Sequence, residues 1–141
     1  MEFNRHISRR LHEEHGATLA LWGRVEQTLL AGKTDTALLK QAAASLGDEV
    51  SRHFDFEERE LFPRLTAAGE GDIASLLAEE HVAIRAAAKQ FMQQQDKAIA
   101  LELVERLVGH IQKEEMSLLP ALEDLLDEDA DRELIAAYAA G

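Results

Sequence analysis

The chain carries one phrase twice, and the phrase holds residues that a protein core normally excludes. Residues 53–65 read HFDFEERELFPRL and residues 110–122 read HIQKEEMSLLPAL, in register at His, Glu-Glu, Leu, Pro and Leu. A second matched pair precedes them, LHEEH ending at His15 and LAEEH ending at His81. The order along the chain is His, His-x-x-x-Glu, His, His-x-x-x-Glu, so four imidazoles and two carboxylates are repeated by halves. Such a chain must fold so that its halves meet around these six groups. Together they form a ligand set for two metal ions.

Helical periodicity runs nearly from end to end, interrupted only at Gly32 to Asp35, Gly69 to Asp72 and about Gln94 to Lys97. The pattern predicts helices over 4–31, 35–68, 72–94 and 97–126, and a short tail helix over 131–140. Asp35 and Asp72 are expected as N-caps, Gly32 and Gly69 as C-terminal stops. Connections this short join antiparallel neighbours. The expected fold is all-α: an up-down-up-down antiparallel four-helix bundle with a short C-terminal helix, a single domain over 1–141. Pro63 and Pro120 fall inside the second and fourth patterns, where a missing N–H is expected to loosen or kink the last turns.

Rotation by about 100° per residue places each histidine relative to its apolar stripe. On the first helix the stripe is Leu11, Thr18, Trp22, Val25 and Leu29, with His15 near its middle, His12 to one side and His6 on the opposite face. Leu39, Leu46 and Val50 lead to His53 and Glu57; Ile99 and Leu103 lead to His110, Glu114, Ala121 and Leu125. His81 lies between Leu77 and Ile84 or Ala88. Four histidines and two glutamates thus face the core. An unpaired buried carboxylate costs far more than a buried hydroxyl, so something positive belongs among them. A metal serves all six groups at once; buried salt bridges or a hydrogen-bonded polar core are the alternative.

Imidazole with carboxylate, and no thiolate, suits iron, manganese or zinc. If Glu57 and Glu114 bridge, each ion keeps an open position, His15 pairing with His53 and His81 with His110. Glu58 and Glu115 are rotated one step further, expected at an interface or in solvent, with extra ligation as the alternative. Arg85, on the inner side near His81, either balances a carboxylate of the site or reaches outward to a surface glutamate. Trp22 reads as a packed core aromatic.

Composition removes several function classes. A net charge of −12 argues against nucleic acid as partner, and zero cysteines exclude disulfides and iron–sulfur ligation. No run of apolar residues reaches membrane-spanning length, and the N-terminal stretch lacks a signal peptide's apolar core, so a cytoplasmic protein is expected. Leu21, Phe54 and Phe62 are expected on outer faces, where they offer a homodimer surface.

These residues resemble the hemerythrin family, and most closely its HHE cation-binding, hemerythrin-like branch. The resemblance rests on EH at 14–15, HFDFEERELFP at 53–63, EHVAIR at 80–85 and HIQKEEMSLLP at 110–120. It implies a non-haem di-iron centre, oxo- or hydroxo-bridged, with His15, His53, His81 and His110 as terminal ligands and Glu57 and Glu114 as bridges. Manganese or zinc are substitutes. There are departures. Oxygen-carrying hemerythrins place a further histidine four residues after the third-helix ligand, where this chain has Arg85. They use Asp five residues after the fourth-helix histidine, where this chain has Glu114 at four and Glu115 at five. The vacant position is left to water or to Glu58, Glu115 or His12.

The resemblance implies binding or sensing of dioxygen or nitric oxide at the carboxylate-bridged centre. The alternatives are a di-iron redox enzyme, acting on peroxide, nitric oxide or ferrous iron, and an iron-handling protein. No dedicated catalytic motif stands beside the ligand set.

Overall fold

The computed structural model describes residues 2–141, and the described residues form helices and short connections with no strand. Helix α1 spans His6–Leu30. A second helical run comprises α2 (Thr36–Ser45), α3 (Ser51–Phe56) and α4 (Phe62–Ala67), joined through wide π turns at Leu46–Val50 and Glu57–Leu61. Helix α5 spans Gly71–Gln93. The next run joins α6 (Lys97–Lys113) to α7 (Leu119–Leu125) through a third π turn at Glu114–Leu118. The tail helix α8 spans Glu128–Ala140.

Local chemistry explains most boundaries. The side chains of Asp35, Asp96 and Asp127 accept from backbone N–H groups in the first turns of α2, α6 and α8. Gly32 and Gly69 adopt φ of 73° and 87°, and beyond each the chain closes back five residues, Lys33 N to Thr28 O and Glu70 N to Leu65 O. A side chain at either glycine would strain this closure. Asp72 is not the expected cap: α5 begins at Gly71, and Asp72 sits in the first turn, where its charge meets the free N–H end of the helix. The tail helix starts three residues earlier than expected because Asp127 caps it.

Each proline stands just after a wide turn. Pro63 and Pro120 each open the helix that follows a π turn, and the helical run passes through. Proline cannot donate to the carbonyl four residues back, and a widened turn absorbs that loss. The extra residue in the turn rotates everything downstream. Leu125, expected inside, is 42% exposed, and Leu126 takes the buried place at 4%.

Helix α1 packs on α2, α6, α7 and α8, and α5 packs on α4 and α6. The apolar core falls into two halves. One gathers Trp22, Val25, Leu46, Phe91 and Leu103; the other gathers Ile7, Phe56, Leu65, Leu118 and Leu134. Trp22 meets Phe91 edge-on at 5.5 Å, as a core aromatic should. Phe54 and Phe62, expected on outer faces, are buried, so the homodimer surface loses two of its three residues. The buried stripe of a packed helix is more than 100° wide, so residues flanking an inward position are covered by the neighbouring helix.

Candidate metal centre

Between the two apolar halves lies a polar layer built from every long helical run. His15 comes from α1, His53 from α3, His81 from α5 and His110 from α6, while Glu57 and Glu114 each begin a π turn. All six are buried, and the two glutamates are 0% exposed. Every imidazole turns Nε2 inward. His15 Nε2 lies 2.8 Å from Glu114 Oε1, and His53 Nε2 lies 3.0 Å from Glu57 Oε2. On the other side His81 Nε2 is 3.2 Å from Glu57 Oε1 and His110 Nε2 is 3.1 Å from Glu114 Oε2. Ligand atoms of His15, His53, Glu57 and Glu114 lie within 4.8 Å of one another, and so do those of Glu57, His81, His110 and Glu114. The two sets share both carboxylates.

A second layer of carboxylates holds the backs of the rings. Glu115 meets His15 Nδ1 at 2.7 Å, Glu14 meets His53 Nδ1 at 3.1 Å, Glu58 meets His81 Nδ1 at 2.6 Å and Glu80 meets His110 Nδ1 at 2.8 Å. With Nδ1–H donating outward, each ring turns Nε2 to the centre, where it meets a carboxylate while protonated and would offer its lone pair to a cation once that proton is displaced. Each of these four glutamates is the chain neighbour of an inward residue: Glu14 of His15, Glu58 of Glu57, Glu80 of His81, Glu115 of Glu114. One residue is about 100° of helix rotation, which turns the neighbour into the seam facing the next helical run. The result is a closed ring in which each run holds the histidine of the next. Glu58 and Glu115 therefore occupy the interface rather than the centre. Glu14 and Glu80 were not singled out from the sequence, although the glutamate before each EEH histidine was the available signal.

Each outer carboxylate has its own partner. Arg85 donates to Glu58 at 2.5 Å and to Asp55 at 2.8 Å, so it reaches outward. Lys113 pairs with Glu80, Tyr138 donates its hydroxyl to Glu14, and His12 lies 2.5 Å from Glu115. His12 sits outside the six-group cluster, and His6 is exposed.

Charge balance follows from these contacts. Burial works against a proton on His15, but the hydrogen bonds to Glu114 and Glu115 raise its pKa to about 9. Burial likewise opposes a charge on His81, and Glu114 and Glu57 lift it to about 9. His53 is raised well above its ordinary value, its burial outweighed by Glu57, Glu114 and Glu14. Burial would raise Glu14, yet His53 and Tyr138 bring its carboxyl down to about 2. The layer thus attracts positive charge. Glu57 Oε1 and Glu114 Oε2 are buried and make no well-aligned hydrogen bond; their nearest neighbours are His81 Nε2 and His110 Nε2, so each oxygen faces a nitrogen with which it could share a cation.

The sequence profile of the hemerythrin HHE cation-binding domain matches residues 6–122. The chain belongs to the hemerythrin HHE family. Comparison with curated proteins and with solved structures finds no match. This hemerythrin-like domain is thus a cation-binding one, and its buried His/Glu layer fits that property.

Access to the hemerythrin-like layer is uneven. A cavity of about 320 Å³ reaches His15, His53, His110 and Glu114 past Thr18, Val50 and Leu107, with Arg10, Glu13, Glu14 and Arg52 also on its wall. His81 is covered instead, with Phe54 stacked flat on it and Phe62 tilted at 5.3 Å. Among the described residues no helix is long and apolar enough to cross a membrane.

Proposed function

We propose that this hemerythrin-like domain binds two non-haem iron ions and captures dioxygen or nitric oxide there. In this reading the four long helical runs form an up-down-up-down bundle. His15 and His53 would hold one ion and His81 and His110 the other, with Glu57 and Glu114 available to both. The supporting observation is that two fully buried carboxylates are shared by two sets of inward imidazole nitrogens. When bound, a ferrous pair would supply the electrons for reversible capture of a small gas. The chain's own part is positional. The Glu14, Glu58, Glu80 and Glu115 carboxylates fix the imidazoles with Nε2 inward. Val50 and Leu107 make the inner wall of the cavity partly apolar, beside the charged Arg10, Glu13, Glu14 and Arg52.

A second reading, redox turnover of peroxide or nitric oxide, is favoured by Arg85. The side chain at the family's further histidine position turns away to Glu58 and Asp55, which leaves the centre one protein ligand short of an oxygen carrier. Anaerobic loading with ferrous iron, metal counting per chain, and absorption spectra before and after air test both. About two irons per chain and recovery of the ferrous spectrum on removing oxygen support capture. Continuous consumption of peroxide or nitric oxide under reductant supports turnover. A folded protein that takes up no iron overturns both.

A further inference from the structure

The repeated halves of the centre also differ in their backing: among the described residues the tail helix reaches the His15 and His53 side, through Tyr138. Tyr138, the chain's single tyrosine, is buried near the end of α8. Its hydroxyl donates to Glu14 Oε1, the same oxygen that takes His53 Nδ1 at 3.1 Å. Its ring lies 4.6 Å from Phe56 and 4.6 Å from the Arg52 guanidinium, which also donates to the Tyr138 carbonyl. Glu14, Arg52 and Phe56 are the residues immediately before His15, His53 and Glu57. One side chain therefore rests on the chain neighbours of three inward groups. Behind the other half the described residues place Lys113 and Arg85 on the ring carboxylates instead.

Helix α8 is fastened at two places. Near its start, Asp131 accepts from the backbone N–H groups of His6 and Ile7 at 2.8 and 2.9 Å, a contact with the start of α1. Near its end, Tyr138 is bound to the carboxylate behind His53. The first fastening is structural. The second links the tail to the centre.

We infer that Tyr138 is a positioning residue for the ion held by His53, and that through it metal occupancy and docking of the end of α8 are coupled. The inference rests on the metal reading above. A carboxylate that orients a ligand imidazole must itself be held, and the phenol hydroxyl supplies that hold at Glu14. An ion on His53 Nε2 fixes the ring, the fixed ring fixes Glu14, and Glu14 in place receives Tyr138. Thermodynamic linkage makes the effect reciprocal: whatever factor Tyr138 adds to metal affinity, the metal adds to docking of the tail.

The test compares the full-length wild type with Tyr138→Phe and Leu134→Ala, using anaerobic ferrous iron. The readouts are a chelator competition for affinity and amide hydrogen exchange of α8 with and without metal. Tyr138→Phe keeps the ring between Phe56 and Arg52 and removes only the hydroxyl. It should weaken one of the two ions on the order of tenfold, leave the other unchanged, and abolish metal-dependent protection of the last turn of α8. Leu134→Ala loosens α8 without touching Glu14. It should speed exchange in both states and keep the metal-dependent ratio, which in the wild type should be on the order of tenfold. Equal α8 exchange in loaded and metal-free wild type, or wild-type affinity for both ions in Tyr138→Phe, overturns the inference alone. Loss of the ratio in Leu134→Ala overturns it too, because the coupling would then run through packing. A wild type that takes up no ferrous iron overturns it together with the metal reading.

Discussion

The imidazole of His81 lies flat against the ring of Phe54, with centroids 3.8 Å apart and planes within 7°. The Arg85 guanidinium sits 5.5 Å from the Phe54 centroid. This contact covers His81, whereas His15, His53 and His110 all line a cavity. Phe54→Ala should cost the metal-free protein about 3–5 kcal/mol, the usual penalty for removing a buried phenylalanine. A lowered urea midpoint with unchanged slope checks this. In the loaded protein the same substitution should speed chelator removal of one ion and spare the other. Equal release of both would mean Phe54 is packing only.

The shared carboxylates predict an asymmetry among ligand substitutions. Glu57 reaches His53 through one oxygen and His81 through the other, at 3.0 and 3.2 Å. Glu57→Ala should therefore lose both ions, whereas His81→Ala should retain one after desalting. Glu114→Ala should behave like Glu57→Ala, because Glu114 reaches His15 and His110 in the same way. Metal counting on folded variants checks the pattern. One ion retained in both glutamate variants would exclude a bridging arrangement.

How much of this was legible beforehand depends on the range of the interaction. Inward placement of His15, His53, Glu57, His81, His110 and Glu114 follows from rotation about each helix, a property of one segment at a time. The π turns were not legible, since Pro63 and Pro120 announce a lost N–H but not how the helix absorbs it. The misplacement of Leu125 follows from that miss. Phe54 and Phe62 were misassigned for another reason: their burial depends on α5 lying against them, which a single-helix stripe omits. The ring of Glu14, Glu58, Glu80 and Glu115 depends on which run neighbours which. Tyr138 lay furthest from view, 124 residues from Glu14.

The metal-free and loaded proteins should answer pH in opposite ways. Folding raises His15 and His81 from 6.5 to about 9, against their burial, through Glu114 and its fellow carboxylates. A raised folded pKa adds stability that is complete below 6.5 and lost as pH rises through about 9. Glu14, lowered from 4.5 to about 2, adds stability present above 4.5 and lost as pH falls toward 2. Metal-free protein should therefore melt at a higher temperature at pH 6 than at pH 9. Metal binding displaces the imidazole protons, so affinity should rise through the same alkaline window, by about tenfold per pH unit for each proton displaced. The gap in Tm between loaded and metal-free protein should widen from pH 6.5 to 9. A constant gap would mean that no imidazole proton leaves on binding.

Asp131 provides the contrast that separates support of the fold from support of the centre. It is buried in the first turn of α8, and its two oxygens accept from His6 N and Ile7 N. Arg5, at the boundary of α1, makes no side-chain cap of its own, so the start of that helix is capped from the tail. Asp131→Ala removes this cap and leaves donors unsatisfied in a buried place, which should cost about 1–3 kcal/mol. Asp131→Asn retains one acceptor oxygen and should recover part of that loss. Neither variant touches Glu14 or any inward group, so both should load metal like the wild type at temperatures where they stay folded. Thermal melting of the metal-free variants and metal counting at low temperature test the two halves of the argument. If Asp131→Ala lost metal while fully folded, α8 would be acting on the centre through the start of α1 as well as through Tyr138.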